Sequence, residues 1–162
     1  MKSSDKRKKT LTLAALVLSV LFFIALFILK DKLTTTASDL VKMQAETETI
    51  QAVSTYIDSA YNYKKNGQSY QVTFLEFGST GCSACKRMEK VMQNIRNQYP
   101  EKVNVVFNNI TFPKNRKFMK YYGISVIPTQ VLLNSEGEEF FRHTGYISTK
   151  RLIEKMPVNN HH

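Results

Sequence analysis

From Leu11 to Leu29 the chain runs nineteen residues without a charge, interrupted only by Thr12 and Ser19. As a helix this run rises roughly 28 Å, close to the hydrocarbon thickness of a bilayer. A packed core helix of that length would show a polar face, and this run shows none. The run therefore divides the chain into an anchor and whatever follows it. Lys2, Lys6, Arg7, Lys8 and Lys9 precede it against one acid, Asp5, whereas only Lys30 and Lys32 follow it, with Asp31 between them. The positive-inside bias puts the N-terminus in the cytoplasm and residues 33 onward outside. A cleaved signal peptide is the competing reading. It calls for an apolar stretch of about 7–15 residues with a small-residue cleavage site close behind. Here the stretch is longer, the nearest tolerable site, Thr35-Thr36-Ala37, lies beyond two lysines, and no cysteine follows that could take a lipid. The expected organisation is a basic cytoplasmic tail over 1–10, a transmembrane signal-anchor over 11–29, a stalk over 30–47, one globular domain over 48–157 and a short tail over 158–162.

Half of the formal charge of +10 belongs to residues 1–32. Residues 33–162 carry 16 Lys plus Arg against 11 Asp plus Glu, a net +5. The basic residues are scattered, with no arginine-rich run and no nucleic-acid motif, so no nucleic-acid partner is expected. The lipid bilayer is the expected partner of the N-terminal helix.

The two cysteines, Cys82 and Cys85, stand three residues apart in a domain expected to face an oxidising compartment. A structural disulfide gains most from closing a longer loop. A structural zinc site takes about four ligands, and the three histidines are His143, His161 and His162. The pair reads as redox chemistry, with no metal and no cofactor beyond the Cys82–Cys85 disulfide itself.

Periodicity places the pair. From Ile50, apolar residues recur at Val53, Ile57 and Ala60/Tyr61, predicting a helix that ends near Lys64-Lys65-Asn66-Gly67 and starts as early as Ser38. Tyr70 to Phe77 reads as a strand between Gly67 and Gly78. Ser79-Thr80-Gly81 is a turn, and Cys82 opens a helix with Met88, Val91, Met92 and Ile95 on its apolar face, stopping before Pro100. Lys102 to Phe107 predicts a second strand. A short helix starts at Pro113, where a first helical proline is tolerated, and ends at Gly123. Strands follow at Thr129–Leu133 and Glu139–Arg142 around a turn at Asn134–Gly137, and a last helix spans Ser148 to Met156. Strands separated by helices predict parallel pairing through right-handed crossovers, and the tight turn predicts an antiparallel hairpin. The fold class is α/β, a four-stranded mixed sheet with helices on both faces.

A thiolate at a helix N-terminus faces unpaired N–H groups and the positive end of the helix dipole, which lowers its pKa from about 8.5. Cys85, one turn further in, lies on the same side of the helix. Cys82 is thus the candidate nucleophile and Cys85 the resolving thiol. Glu76 shares a strand face with Val72 and Phe74. A buried carboxyl there has a raised pKa and is a candidate acceptor for the Cys85 proton.

The segment Phe77-Gly-Ser-Thr-Gly-Cys82-Ser-Ala-Cys85-Lys resembles the active-site segment of the thioredoxin family, and the likeness extends over about residues 50–156. Glu76, six residues before Cys82, matches the family's buried acid. Ile127-Pro128-Thr129 matches its Ile-Pro-Thr, whose proline is cis, and Gly145 matches the glycine before its last helix. The resemblance implies a thioredoxin fold and thiol–disulfide exchange, with Cys82, Cys85 and Glu76 catalytic. Substrate peptide would pair with the Ile127 backbone beside Pro128, Thr129 and Gly81.

The family's Gly-Pro between the cysteines is Ser83-Ala84 here, its two tryptophans are Gly78 and Gly81, and its helix-kinking proline is Lys90. The glycines are expected to open the site to a protein partner and Lys90 to straighten the helix. The expected setting is a membrane-tethered reductase on the extracytoplasmic face, periplasmic or outer. It would take electrons from a polytopic membrane thiol transporter and pass them to oxidised proteins or apocytochrome c. A disulfide-donating oxidase, a Cu(I)-binding module and a structural subunit with a vestigial pair stay open beside it. His143, on an edge strand, reads as a surface residue.

Overall fold

The computed structural model describes residues 16–25, 36–43 and 46–158. The chain divides into two units, Met1–Ala37 and Ser38–His162. In the first, residues 16–25 are helical, and the large apolar side chains from Leu16 to Ile24 are exposed. Among the described residues no helix is long and apolar enough to cross a membrane. The rest of the apolar run, the basic tail over 1–10, most of the stalk and the final residues 159–162 lie outside the described residues.

The second unit is built on strands β1 (Val72–Gly78), β2 (Val103–Asn109), β3 (Thr129–Leu133) and β4 (Glu139–Thr144), in the spatial order β2-β1-β3-β4. Helices α1 (Thr47–Ala60), α2 (Tyr63–Asn66), α3 (Ser83–Gln98), α4 (Arg116–Tyr122) and α5 (Thr149–Ile153) connect and cover them, and a 3₁₀ turn at Pro113–Asn115 leads into α4. All seven residues of β1 are buried, because the strand is paired on both edges and covered on both faces. Its alternating side chains feed two cores. Val72 and Phe74 join Met88, Val91, Met92 and Ile95 of α3 and Leu152 of α5. Leu75 and Phe77 join Val53 and Ile57 of α1 and Tyr122 at the end of α4. Phe74 and Phe77 are wholly shielded, each worth roughly 1.5–3 kcal/mol of apolar burial. The predicted apolar face of the cysteine helix is buried as expected.

Three expectations need correction. The predicted parallel pairing holds for β1 with β2 only; β3 runs antiparallel to β1 although a helix separates β3 from β2. The seven residues of α4 advance the chain only about 10 Å, whereas returning along a seven-residue strand takes about 23 Å. The chain therefore stays at the end where β2 finishes and enters β3 from there, with Thr129 opposite Phe77.

The single helix predicted to run from as early as Ser38 to Gly67 is interrupted at Glu46, an extended N-cap with φ −65° and ψ 144°, and again at Asn62, whose φ and ψ of −86° and 88° are not helical. Tyr63 is drawn out of the helix by tertiary bonds: its N–H donates to Ser135 O at 2.8 Å, and its hydroxyl pairs with Thr73 Oγ1 at 2.5 Å and accepts from Asn104 Nδ2 at 3.0 Å. The last helix is also shorter than its pattern, continuing past Ile153 only as turns.

Two helix ends need glycine for different reasons. Gly67 and Gly123 both have positive φ, but a Cβ at Gly67 would meet nothing, whereas one at Gly123 would lie 2.3 Å from Ser38 O and 2.8 Å from Lys42 Cγ. Gly67→Ala should cost about 1 kcal/mol, the backbone penalty alone. Gly123→Ala should cost about 2–4 kcal/mol, since a backbone carbonyl must also move. Denaturant unfolding of the two variants checks the ranking.

Candidate active site

The dithiol sits where β1 hands the chain to α3. Gly78 ends the strand, Ser79 to Gly81 turn, and Cys82 is the N-cap of the sixteen-residue helix. An N-cap side chain accepts from the free N–H groups of the first turn. Here that acceptor is sulfur, with the Cys85 N–H donating to Cys82 Sγ at 3.2 Å. Both cysteines are free thiols, Cys82 half-buried and Cys85 buried.

The two sulfurs are held in opposite electrostatic states. Hydrogen bonding from the Cys85 thiol, then from the Cys85 and Ala84 N–H groups, holds the Cys82 thiol below its ordinary pKa. Burial, with the Cys82 sulfur and the Glu76 carboxyl nearby, pushes the Cys85 thiol up to about 11. A dithiol arranged in this way makes Cys82 the readier of the two to form a thiolate and leaves the proton more firmly on Cys85.

Gly78 sets the floor under the inner sulfur. A Cβ there would lie 3.3 Å from both Cβ and Sγ of Cys85 and 3.1 Å from Phe107 Cε2. The expected open space beside the sulfurs is therefore found at Gly81, where a Cβ would meet nothing, and not at Gly78. A side chain at Gly78 would press on Cys85 and Phe107, which would have to give by a few tenths of an ångström.

Glu76 lies on the sheet face toward α3, fully buried as expected. Desolvation pushes its carboxyl up to about 8, with the Cys82 sulfur adding to the shift and a hydrogen bond from Gln130 opposing it. That bond, from Gln130 Nε2 to Glu76 Oε1, is long at 3.4 Å, and Glu76 Oε2 and Gln130 Oε1 have no partner. The sequence reading missed Gln130. Its signal was a carboxamide at an inward position of a strand otherwise reading Val131-Leu132-Leu133.

The Ile127–Pro128 bond is cis. The loop it belongs to is tied by Thr129 Oγ1 donating to Val126 O at 2.7 Å and by the N–H of Gly145, at φ +94°, donating to Pro128 O at 2.7 Å. Thr129 pairs with Phe77 in the sheet, which brings the loop to the end of β1 where the cysteine turn begins. His143 lies on β4 with Nε2 3.3 Å from Tyr146 O. Among the described residues no group of three or more His, Cys, Asp or Glu side chains is placed to hold a metal ion.

A reactive dithiol on a helix N-terminus, backed by a buried acid, in a sheet ordered β2-β1-β3-β4 and entered through a cis-proline, defines a thioredoxin-like domain. A family model of that description, the thioredoxin-like domain, matches residues 57–157. The chain belongs to this family, whose members are generally thiol–disulfide oxidoreductases. It is 28% identical over 98 residues to the thioredoxin-like protein HCF164, chloroplastic, of Arabidopsis thaliana, a match spanning 60% of this chain and 38% of that protein. Among solved structures it is similar to thioredoxin-2 of a malaria parasite, at 21% identity and a TM-score of 0.48, over 52% of this chain and 79% of that one. It is also similar to a mutant thioredoxin from Halobacterium salinarum, at 20% identity and a TM-score of 0.49, over 59% of this chain and 78% of that one.

Two outcomes follow from the geometry. Limited alkylation of the reduced protein at neutral pH should label Cys82 well before Cys85, read by peptide mass spectrometry. Stability should also depend on Glu76. An acid that holds its proton more tightly when folded lends stability below its unfolded value near 4.5, and that contribution is lost as pH rises toward the folded value of about 8. Glu76→Gln should therefore gain on the wild type by a few kcal/mol between pH 5 and pH 8, as measured by denaturant unfolding.

Proposed function

We propose that this protein is a membrane-tethered thiol–disulfide oxidoreductase working as a reductase. It takes electrons from a polytopic membrane thiol transporter and reduces disulfides of extracytoplasmic proteins, apocytochrome c among the candidates. The observation that carries the reading is the division of the dithiol into an accessible, stabilised Cys82 sulfur and a buried Cys85 that keeps its proton. The uncharged run at 11–29 supports the tether, and the basic residues before it support an outward-facing domain.

The reaction proceeds in two exchanges. The Cys82 thiolate attacks one sulfur of a substrate disulfide; that S–S bond breaks, a mixed disulfide forms, and the other substrate sulfur leaves as thiolate. Cys85 then gives its proton to the Glu76 carboxylate and attacks Cys82 Sγ. The mixed disulfide breaks, the second substrate thiolate leaves, and Cys82–Cys85 becomes a disulfide, with two electrons moved to the substrate. Glu76 is timed for this. Burial is the main cause of its raised pKa and the negative Cys82 sulfur adds to it, so once that charge is consumed in the mixed disulfide Glu76 more readily releases its own proton to the departing substrate thiolate, and is a carboxylate when Cys85 must deprotonate. Gly81 and the Ile127–Thr129 loop supply the open side and the backbone edge against which an extended substrate segment pairs.

The stabilised Cys82 thiolate favours one second reading. Lowering a thiolate's energy stabilises the reduced form and makes the disulfide more oxidising, as a disulfide donor requires. Ile127 before the proline is the thioredoxin-like choice and favours reduction.

Insulin reduction with a dithiol donor should proceed with the wild type, stop with Cys82→Ser and slow on the order of tenfold to hundredfold with Glu76→Gln at neutral pH. An inactive wild type would remove the oxidoreductase reading. Thiol trapping in intact cells decides direction: a mostly reduced pair supports the reductase, a mostly oxidised one the disulfide donor. Cys85→Ser should accumulate the partner as a mixed disulfide through Cys82.

A further inference from the structure

Glu76 and Gln130 stand opposite each other on adjacent antiparallel strands, and both are fully buried. Partners in such a pair lie close enough for their side chains to interact. Gln130 Nε2 donates to Glu76 Oε1, and each side chain keeps one buried oxygen unpartnered, Oε2 on Glu76 and Oε1 on Gln130. Two orphaned oxygens in one dry pair are costly unless a proton joins them. We propose that Gln130 is the positioning residue for Glu76, its amide serving the carboxylate as donor and the protonated acid as both donor and acceptor. Glu76 can then take and return the Cys85 proton with Gln130 as its standing partner. The inference rests on the proton-transfer role given to Glu76 above.

The chemistry is specific to a carboxamide. With Glu76 ionised, the amide N–H supports the carboxylate. When Cys85 S–H breaks and an O–H forms on Glu76 Oε2, that new donor needs an acceptor, and Gln130 Oε1 is an unused one. A leucine would serve neither state, and a lysine only the charged one.

The other groups facing the pair do not duplicate this role. From α3 come Cys82 and Cys85, the reacting pair itself, while Lys86, Arg87, Glu89 and Lys90 are exposed. The β2 partner of Glu76 is Phe107, which is uncharged. From β4 the partner of Gln130 is His143, whose Nε2 lies against the Tyr146 carbonyl. Helix α5 buries Leu152, with Lys150 and Arg151 exposed.

The test is a carboxyl-carbon NMR titration of Glu76 in the reduced full chain, beside the pH profile of insulin reduction. Gln130→Leu should move the Glu76 midpoint up by up to about one pH unit, because the charge-assisted bond lost from the carboxylate outweighs the neutral bonds lost from the acid. Gln130→Lys should move it down by a similar amount, and both activity profiles should move with their midpoints. Gln130→Met, which fills the space without a polar group, repeats the upward shift if lysine unfolds the domain. Midpoints and profiles unchanged in folded Gln130→Leu and Gln130→Met would overturn the proposal, leaving an active wild type as evidence for the oxidoreductase alone. If the wild type is inactive the oxidoreductase reading falls, while the titration still decides whether Gln130 holds Glu76.

Discussion

The central strand β1 is hydrogen-bonded to a neighbour on each edge and packed against helices on each face, and the geometry of the candidate site follows from that confinement. A strand in such a position has no side on which to leave a polar group in water. Glu76 is nonetheless on it, so its carboxyl is dry by construction, and the chain leaves the sheet two residues later at Gly78 to turn into α3. Cys82 thereby caps a helix whose base is joined to the buried central strand. The sulfur receives the Cys85 N–H because the helix needs an N-cap acceptor, and Cys85 is buried because the same helix lays its next turn on the sheet.

The three titratable groups therefore act as one system. Burial raises Glu76 and Cys85, while hydrogen bonds at the helix start lower Cys82. Charge on any one is felt by the others, so consuming the Cys82 thiolate eases ionisation of the acid behind it. Gln130 adds a partner for that acid from the neighbouring strand. Gly78 leaves room for Cys85 at the inner sulfur, while a Cβ at Gly81 beside the outer one would meet nothing.

Much of this was legible along the chain. Tyr70–Phe77, Thr129–Leu133 and the face Met88, Val91, Met92 and Ile95 have periods that one element type satisfies, and the structure places them as strand, strand and buried helix face. Glu76 could be called buried because it alternates with Val72 and Phe74. What the pattern did not carry was contact between distant segments. The helix break at Asn62 depends on Ser135 and Thr73, and the sense of β3 depends on how little distance the short α4 covers. Gln130 looked like one polar residue in a strand until its register with Glu76 was known.

The sequence by itself pointed to the family and to the cysteine pair at its site, because a Cys-x-x-Cys between a strand and a helix, with an acid six residues before it, is a local pattern whose chemistry depends on near neighbours. Only the tertiary structure decided how the sulfurs differ in proton affinity, what a side chain at Gly78 would press on, and which residue faces the buried acid. Desolvation and cross-strand register arise from segments more than fifty residues apart in the chain, such as Glu76 and Gln130. The cysteine pair is written locally; its electrostatic setting exists only where β1, β3 and α3 meet.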